Sequence, residues 1–411
     1  MGKNLGKTSF EDLKVVEIAG DIGGYAGKMF ADLGADVIHI EPPEGDPVRK
    51  LPPFLHSSLQ SDLSLTYLFQ NTNKRGIVID LNMPDGKEVF CRLIADADIL
   101  LENMPPRKMS ALGLGYEALE KINPKLVHVS VTPFGQNGPY RDLLGSDLVC
   151  MAMGGMLYLG GTGDDKPALA YGQQAYVMGS LYAASGAAVA LLYADSTGEG
   201  QFIDISLQDC VSTALETASQ DWDLEQVVRR GSSGDEAGRA MYKCKNGLVL
   251  LMAAMGTSAK YWDALVSWLE ENDVKNADQL RNENWYRPKY RKTQEAHKIF
   301  KEIFESFSIK HDAMYLYEEG QLRQVVCYPV NSPKGVFENP HLKSREFFKT
   351  LYHEKEKTNV IYPGPPYRFE KIPWQLLHSA PGFGEHTIHI LKELNYSTTE
   401  IETLMKGGAC K

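Results

Sequence analysis

The sequence predicts an α/β protein: a large doubly wound domain with a smaller α+β domain set into it. Three observations carry this. Between Leu13 and Val131, short apolar runs of strand character alternate with segments of helical spacing. The loops joining them are short, which suits parallel strands crossed over by helices. After about Ser219 the texture turns charged, helical and aromatic-rich, and from Pro329 it becomes loop-like before a final helical stretch. A chain of 411 residues holds two domains with ample core. The expected division is 1–218 with 330–411 as the large domain, and 219–329 as the small one.

Leu13–Ile18 is a strand, broken by the glycines of Gly20–Gly27. Tyr25–Leu33 follows as a helix, closed by Gly34-Ala35, and Val37–Ile40 is the second strand. The pattern repeats with Gly76–Leu81 as strand, Pro84–Ala95 as helix and Ile99–Glu102 as strand, then Tyr116–Ile122 and Leu126–Val131. Met178–Tyr193 is a helix of small residues, built to pack close to another backbone in a core or a subunit contact. Gln220–Ala240 is polar, with Arg229–Gly234 as a mobile loop; Gly247–Ala254 is a strand and Ser258–Leu269 an amphipathic helix. Pro329 onward runs through loops to a helix at His386–Leu394 and a last one at Thr398–Lys406.

A net charge of −10 argues against a general nucleic-acid or anionic-membrane surface. The opening MGKNLGKTSFEDLK has no apolar signal core, and no apolar run reaches about 18 residues unbroken, so a cytoplasmic protein is expected. The six cysteines are scattered without metal-ligand spacing, which excludes a structural zinc site and a disulfide framework; Cys327, in an apolar run, reads as a buried thiol. The turn Gly20–Gly27 follows a strand and opens a helix, and Glu41 ends the next strand where a ribose-binding acid would stand. Yet Ile22 occupies the middle glycine position that pyrophosphate approach requires, so these glycines serve close helix–sheet packing instead.

A set of segments, in order along nearly the whole chain, identifies a resemblance. They are LKVVEIAGDIGGYAGKMFADLGADVIHIEPPEGDPVR, Asn71–Leu81 (NTNKRGIVIDL), Glu102–Pro106 (ENMPP) with Leu112–Tyr116 (LGLGY), Phe134–Tyr140 (FGQNGPY) with Gly145-Ser146-Asp147, Thr197–Ser206 (TGEGQFIDIS), Pro329–Ser332 and APGFGEHT. Together they resemble the class III CoA-transferases, the group that includes the formyl-CoA, carnitinyl-CoA and benzylsuccinate enzymes. The resemblance implies a Rossmann-like large domain, a smaller α+β domain and two chains threaded as interlocked rings. It implies no resident cofactor or metal, with a coenzyme A thioester as substrate. In active members an aspartate attacks the acyl-CoA thioester and forms an acyl-aspartyl anhydride. The released thiolate converts this to an aspartyl-CoA thioester, which the acceptor acid resolves.

The resemblance places that aspartate just before the small-residue helix, where this chain has Tyr176. Its neighbours Gln173, Gln174, Ala175 and Val177 are not acids either, and Asp164, Asp165 and Asp195 lie too far along the chain to keep the attack geometry. Basic residues the family often carries for CoA phosphates are replaced by Pro42-Pro43, Asn82 and Ala111. Asn103, Lys74 and Arg75 stand at the remaining CoA-binding positions; Lys74, Arg75, Arg107 and Lys108 also read as ordinary solvated surface. Glu17 and Asp147 are the alternative carboxylates, Asp147 with a capping role as its simpler reading, while His39 and His386 read as packing and helix-start residues. The expectation is a non-catalytic subunit paired with a homologous catalytic CoA-transferase subunit, acting on acyl-CoA and dicarboxylic acid substrates such as succinyl-CoA and (R)-benzylsuccinate. An active homodimeric transferase using another carboxylate, a 2-methylacyl-CoA racemase and a CoA-binding regulatory protein remain as alternatives.

Overall fold

The computed structural model describes residues 10–18, 20–55, 63–161, 166–228, 236–254 and 259–411; the loop expected at Arg229–Gly234 lies outside them. The chain forms two compact units. The first takes Met1–Met156, Ala170–Glu216 and Glu346–Lys411, and the second Leu157–Leu169 and Thr217–Arg345.

The first unit is built on a six-stranded sheet. Its strands are β1 (Lys14–Ile18), β2 (Asp36–Glu41), β3 (Arg75–Val78), β4 (Ile99–Glu102), β5 (Val127–Thr132) and β6 (Gln201–Ser206), in the order β3-β2-β1-β4-β5-β6. All pairs are parallel. Sequence alternation decides which side chains meet which helix layer. Val16, Ile18, Ile38, Ile40, Ile77 and Leu100 join Val89, Phe90, Leu93 and Ile94 of the Pro84–Ile94 helix and the two C-terminal helices in one core. Each such side chain contributes about 1.5–3 kcal/mol by leaving water. The other face carries the Gly24–Asp32 and Gln174–Thr197 helices, the latter through a buried stripe at Ala175, Gly179, Ala183, Ala187, Ala190 and Ala194. Small residues at this spacing let the helix lie close on β5 and β6.

This last helix is longer than Met178–Tyr193, and by length and mean hydropathy alone it would suffice to cross a membrane, although Gly179, Ser180, Ser185 and Gly186 interrupt its apolar run. Its leucines, valines and alanines give that hydropathy, and a buried stripe of alanine and glycine seats it within the fold.

In the second unit, β7 (Arg239–Cys244), β8 (Gly247–Met252) and β9 (Cys327–Pro329) form an antiparallel sheet. Its core is aromatic: Trp262 stacks on Trp285 at 5.6 Å, with Phe300, Phe304 and Phe307 from the Gln294–Ser308 helix beside them. Cys327 is buried there and its thiol is pushed up to about 12 by desolvation, which leaves it inert. Beyond Arg345 the chain does not simply loop back: β10 (Phe348–His353) and β11 (Thr358–Pro363) make a hairpin of the first unit, one the sequence reading missed. The alternation there is weak, because both faces mix polar and apolar residues. The Tyr116–Ile122 helix shrinks to one turn, Tyr116–Leu119.

Candidate functional site

In an open parallel sheet, ligands bind beyond the carboxyl ends of the strands where the strand order reverses. Here that point lies between β1 and β4. The loop after β1 and the loop after β4 meet there, and Asn103 joins them: its Nδ2 donates to the Ile22 carbonyl at 2.8 Å. Gly20, at φ +152°, is needed because any side chain there would overlap the Asn103 carboxamide. Asn103 is thus at the reversal point, partly buried, as a loop clamp.

Tyr176 sits in the first turn of the Gln174–Thr197 helix and is 7% exposed. Burial raises its phenol, and the charge of Asp21 raises it further, so it stays neutral at any physiological pH. That helix has no cap from its own Gln173 side chain; Asp147 supplies one from outside. Asp147 Oδ1 accepts from the Tyr176 N–H at 3.2 Å, and its carboxylate also meets the N–H groups of Ala175 and Gln174. Burial nonetheless raises the Asp147 carboxyl above the usual range. Asp21, in the turn after β1, is half-buried, and its carboxyl is also raised, by desolvation first and then by the charges of Asp46 and Asp147. Sequence reasoning missed Asp21; the signal available was its place in the turn that opens the first crossover.

The basic candidates divide. Lys74 is buried and all its contacts are internal: Glu17 Oε1 at 2.7 Å and Oε2 at 2.9 Å, the Gly24 carbonyl at 2.9 Å and Asn71 Oδ1 at 2.9 Å. It is therefore not the solvated surface residue considered above, and no N–H remains for a phosphate. Arg75 opens β3, in register with Ile38 near the amino end of β2, opposite to the strand ends that form the site. It makes a bidentate pair with Asp36 and a bond to Glu393 at 2.7 Å. Arg107 and Lys108 are exposed.

Glu17 belongs to a buried network beneath the Gly24–Asp32 helix. His39 Nδ1 lies 2.7 Å from Glu17 Oε1 and its Nε2 lies 3.1 Å from Asp46 Oδ2. A side chain at Gly27 would overlap the Glu17 carboxylate, which is the packing reason for that glycine. Burial opposes charge on His39, but the hydrogen bonds to Asp46 and Glu17 outweigh it and raise the imidazole to about 9. Burial likewise opposes the charge on Glu17 and Asp46, and Lys74 and His39 overcome it, holding both carboxyls below their usual values. His39 is buried, as the sequence suggests, and its two carboxylate partners favour the protonated imidazole. His386 Nδ1 accepts the Gly76 N–H at 3.1 Å beside the start of its helix. Among the described residues no cluster of His, Cys, Asp and Glu forms a metal site.

Comparison with known proteins agrees with this architecture. Residues 10–387 match CoA-transferase family III. The chain is 41% identical, over 97% of its length and 98% of the relative's, to the succinyl-CoA:(R)-benzylsuccinate CoA-transferase subunit BbsE of Thauera aromatica. It is 31% identical to the succinate–glutarate CoA-transferase of Agrobacterium fabrum, over 94% of this chain and 96% of that one. The crystal structure of a CAIB/BAIF family protein from Brucella suis superposes with a TM-score of 0.81 at 27% identity, covering 95% of this chain and all of that one. With the parallel sheet, the ordered segments and these matches in agreement, the chain belongs to CoA-transferase family III.

Proposed function

We propose that this chain is the non-catalytic subunit of a heteromeric CoA-transferase that moves CoA from succinyl-CoA to (R)-benzylsuccinate in anaerobic toluene degradation. The observation that carries the reading is Tyr176: a buried phenol, raised by its surroundings, stands where the resemblance puts the attacking aspartate. Such a group neither attacks a thioester nor accepts a proton at neutral pH. A homologous partner subunit then brings the carboxylate, and the CoA thioester enters as substrate rather than as a resident cofactor. The likeness to a protein named as a subunit of the benzylsuccinate enzyme supports both the pairing and the substrate. The interlocked arrangement draws support from apolar surface on the Gln174–Thr197 helix, where Val189 is 69% and Leu192 71% exposed. Further support comes from β6, an edge strand that pairs only with β5 among the described residues.

The test is CoA transfer from succinyl-CoA to benzylsuccinate by the purified chain, alone and co-expressed with a homologous family member encoded beside it. Activity confined to the pair, with any trapped acyl adduct on the partner, is the expected result; full activity from this chain alone overturns the reading. A second reading, a homodimeric transferase with its own carboxylate, is favoured by one observation: Asp21 and Asp147 both have raised carboxyls near Tyr176. It predicts an adduct on one of those two residues. A racemase would exchange the α-proton of a 2-methylacyl-CoA without transfer, and a regulatory protein would bind CoA without turnover in any company.

A further inference from the structure

The Gly24–Asp32 helix buries Ala26 and Phe30, while Tyr25, Lys28, Met29 and Asp32, spaced i, i+3, i+4 and i+7, form a second stripe. That stripe lines a cavity of about 220 Å3, closed by Phe69, Phe347, the Pro363–Tyr367 segment and Trp374. Aromatic rings thus come from the helix, from Phe69 of Leu65–Gln70 and from both ends of the β10–β11 hairpin. Tyr25 and Phe69 stack with centroids 5.6 Å apart. The far wall is preset. Prolines at 363, 365 and 366 fix its backbone, and the Gly364 N–H donates to the Phe347 carbonyl at 2.8 Å. A side chain at Gly364 would overlap that carbonyl.

The one ion pair at this cavity is satisfied internally. Lys28 Nζ lies 2.8 Å from Asp32 Oδ2 and also donates to Thr72 Oγ1, while Asp32 Oδ1 accepts from Asn73 Nδ2 at 2.7 Å. The Lys28 ammonium stands 5.2 Å from the Phe69 ring and 6.0 Å from the Trp374 ring, so the chain's own lysine takes the place an aromatic box offers a cation. An anion fares no better. Lys28 is already matched by Asp32, and the charge of Asp32 reaches the cavity: after desolvation it helps to raise both the Tyr25 and the Tyr367 phenols. Those two phenols bond no other described residue and keep part of their surface open. They are hydrogen-bonding groups awaiting a neutral partner. A cavity of roughly 150 Å3 lined by apolar side chains takes up benzene, so the larger volume here suits one ring with a small substituent. Rings on several sides favour an aromatic occupant through edge and face contacts. We propose that this pocket binds an uncharged monocyclic arene carrying one hydroxyl, of the phenol class, with its ring among Phe69, Phe347 and Trp374 and its hydroxyl at the phenols of Tyr25 and Tyr367. The site involves neither Tyr176 nor a partner subunit, so the inference stands whether or not this chain is catalytic.

Ligand-observed NMR titration of the full chain with phenol, toluene, cyclohexanol, benzoate and benzylsuccinate tests it. Phenol should bind saturably, with a dissociation constant of about 1 mM or tighter, ahead of the other four. The double variant Tyr25→Phe, Tyr367→Phe should weaken phenol about threefold to tenfold and leave toluene within about twofold, since only the hydrogen bonds are lost. Trp374→Leu, in the loop beyond the hairpin, should weaken both arenes, a readout that remains if the double variant fails to fold. Saturating CoA should leave phenol binding unchanged. Absence of saturable phenol binding, binding indifferent to Trp374→Leu, displacement by CoA, or tighter binding of cyclohexanol, benzoate or benzylsuccinate would overturn the proposal.

Discussion

Tyr176 and Asp147 share one helix start but do different work there: the phenol fills space, while the carboxylate caps three N–H groups. Removing the hydroxyl should therefore change nothing catalytic, and Tyr176→Phe in the co-expressed pair is expected to keep CoA transfer within about twofold of wild type, a difference near the limit of additivity. Asp147→Ala should lower stability by about 1–2 kcal/mol in urea titrations, the usual consequence of losing an N-terminal cap. The charged network adds a pH signature. The imidazole of His39 is raised from 6.5 to about 9, so its contribution is complete below pH 6.5 and is lost as pH climbs through 9. Glu17 and Asp46 are lowered, so theirs is present above the ordinary carboxylate range and is lost in acid. Melting temperature against pH should show a plateau between these limits and a fall toward pH 9, and His39→Gln should abolish the alkaline fall while lowering the plateau. Lys74→Met would leave Glu17 buried with His39 as its remaining charged partner, at a cost of about 3–5 kcal/mol.

Elements differ in how openly the sequence declares them. β4 was legible residue for residue, since Ile99–Glu102 is a short apolar run bounded by polar residues. The β10–β11 hairpin was not, because neither strand alternates cleanly and its joining loop carries no two-residue turn signal. Helix propensity misleads at Gly86. In a helix interior, glycine to alanine normally gains up to about 1 kcal/mol, but a Cβ on Gly86 would overlap the Asp80 carbonyl. Gly86→Ala is expected to destabilise by about 1–3 kcal/mol, measured by chemical denaturation, as overpacking does. A neutral or stabilising result would mean that the Asp80 turn yields.

At the scale of the whole molecule, the two edges of the parallel sheet are treated differently. The β3 side is covered by the carboxyl-terminal tail, through the Ile79–Cys410 bridge and the Asp80 N–H on the Ala409 carbonyl. The β6 side has no such cover among the described residues, and the neighbouring helix exposes Val189, Leu192 and Tyr193. A monomer rarely leaves both an edge and an apolar helix face in water. Light scattering should find the purified chain oligomeric, alone or with its partner, and the double substitution Val189→Glu, Leu192→Glu should release monomer or prevent assembly while the fold's circular dichroism persists. A wild-type monomer would contradict the interlocked arrangement.

The sequence by itself determined the succession of strands and helices from β1 to β5 and the family, because each is written in local periodicity or in residue identity at fixed spacing. Only the tertiary structure decided what the charged residues do. Lys74 and Arg75 are adjacent and read alike, yet one side chain is enclosed beneath a helix and the other binds Asp36 at the amino end of the sheet. The unpaired nitrogens of His128 and the raised carboxyl of Asp21 are equally invisible in sequence. Burial and the company of other charges set the behaviour of an ionisable group, and both come from segments far apart in the chain.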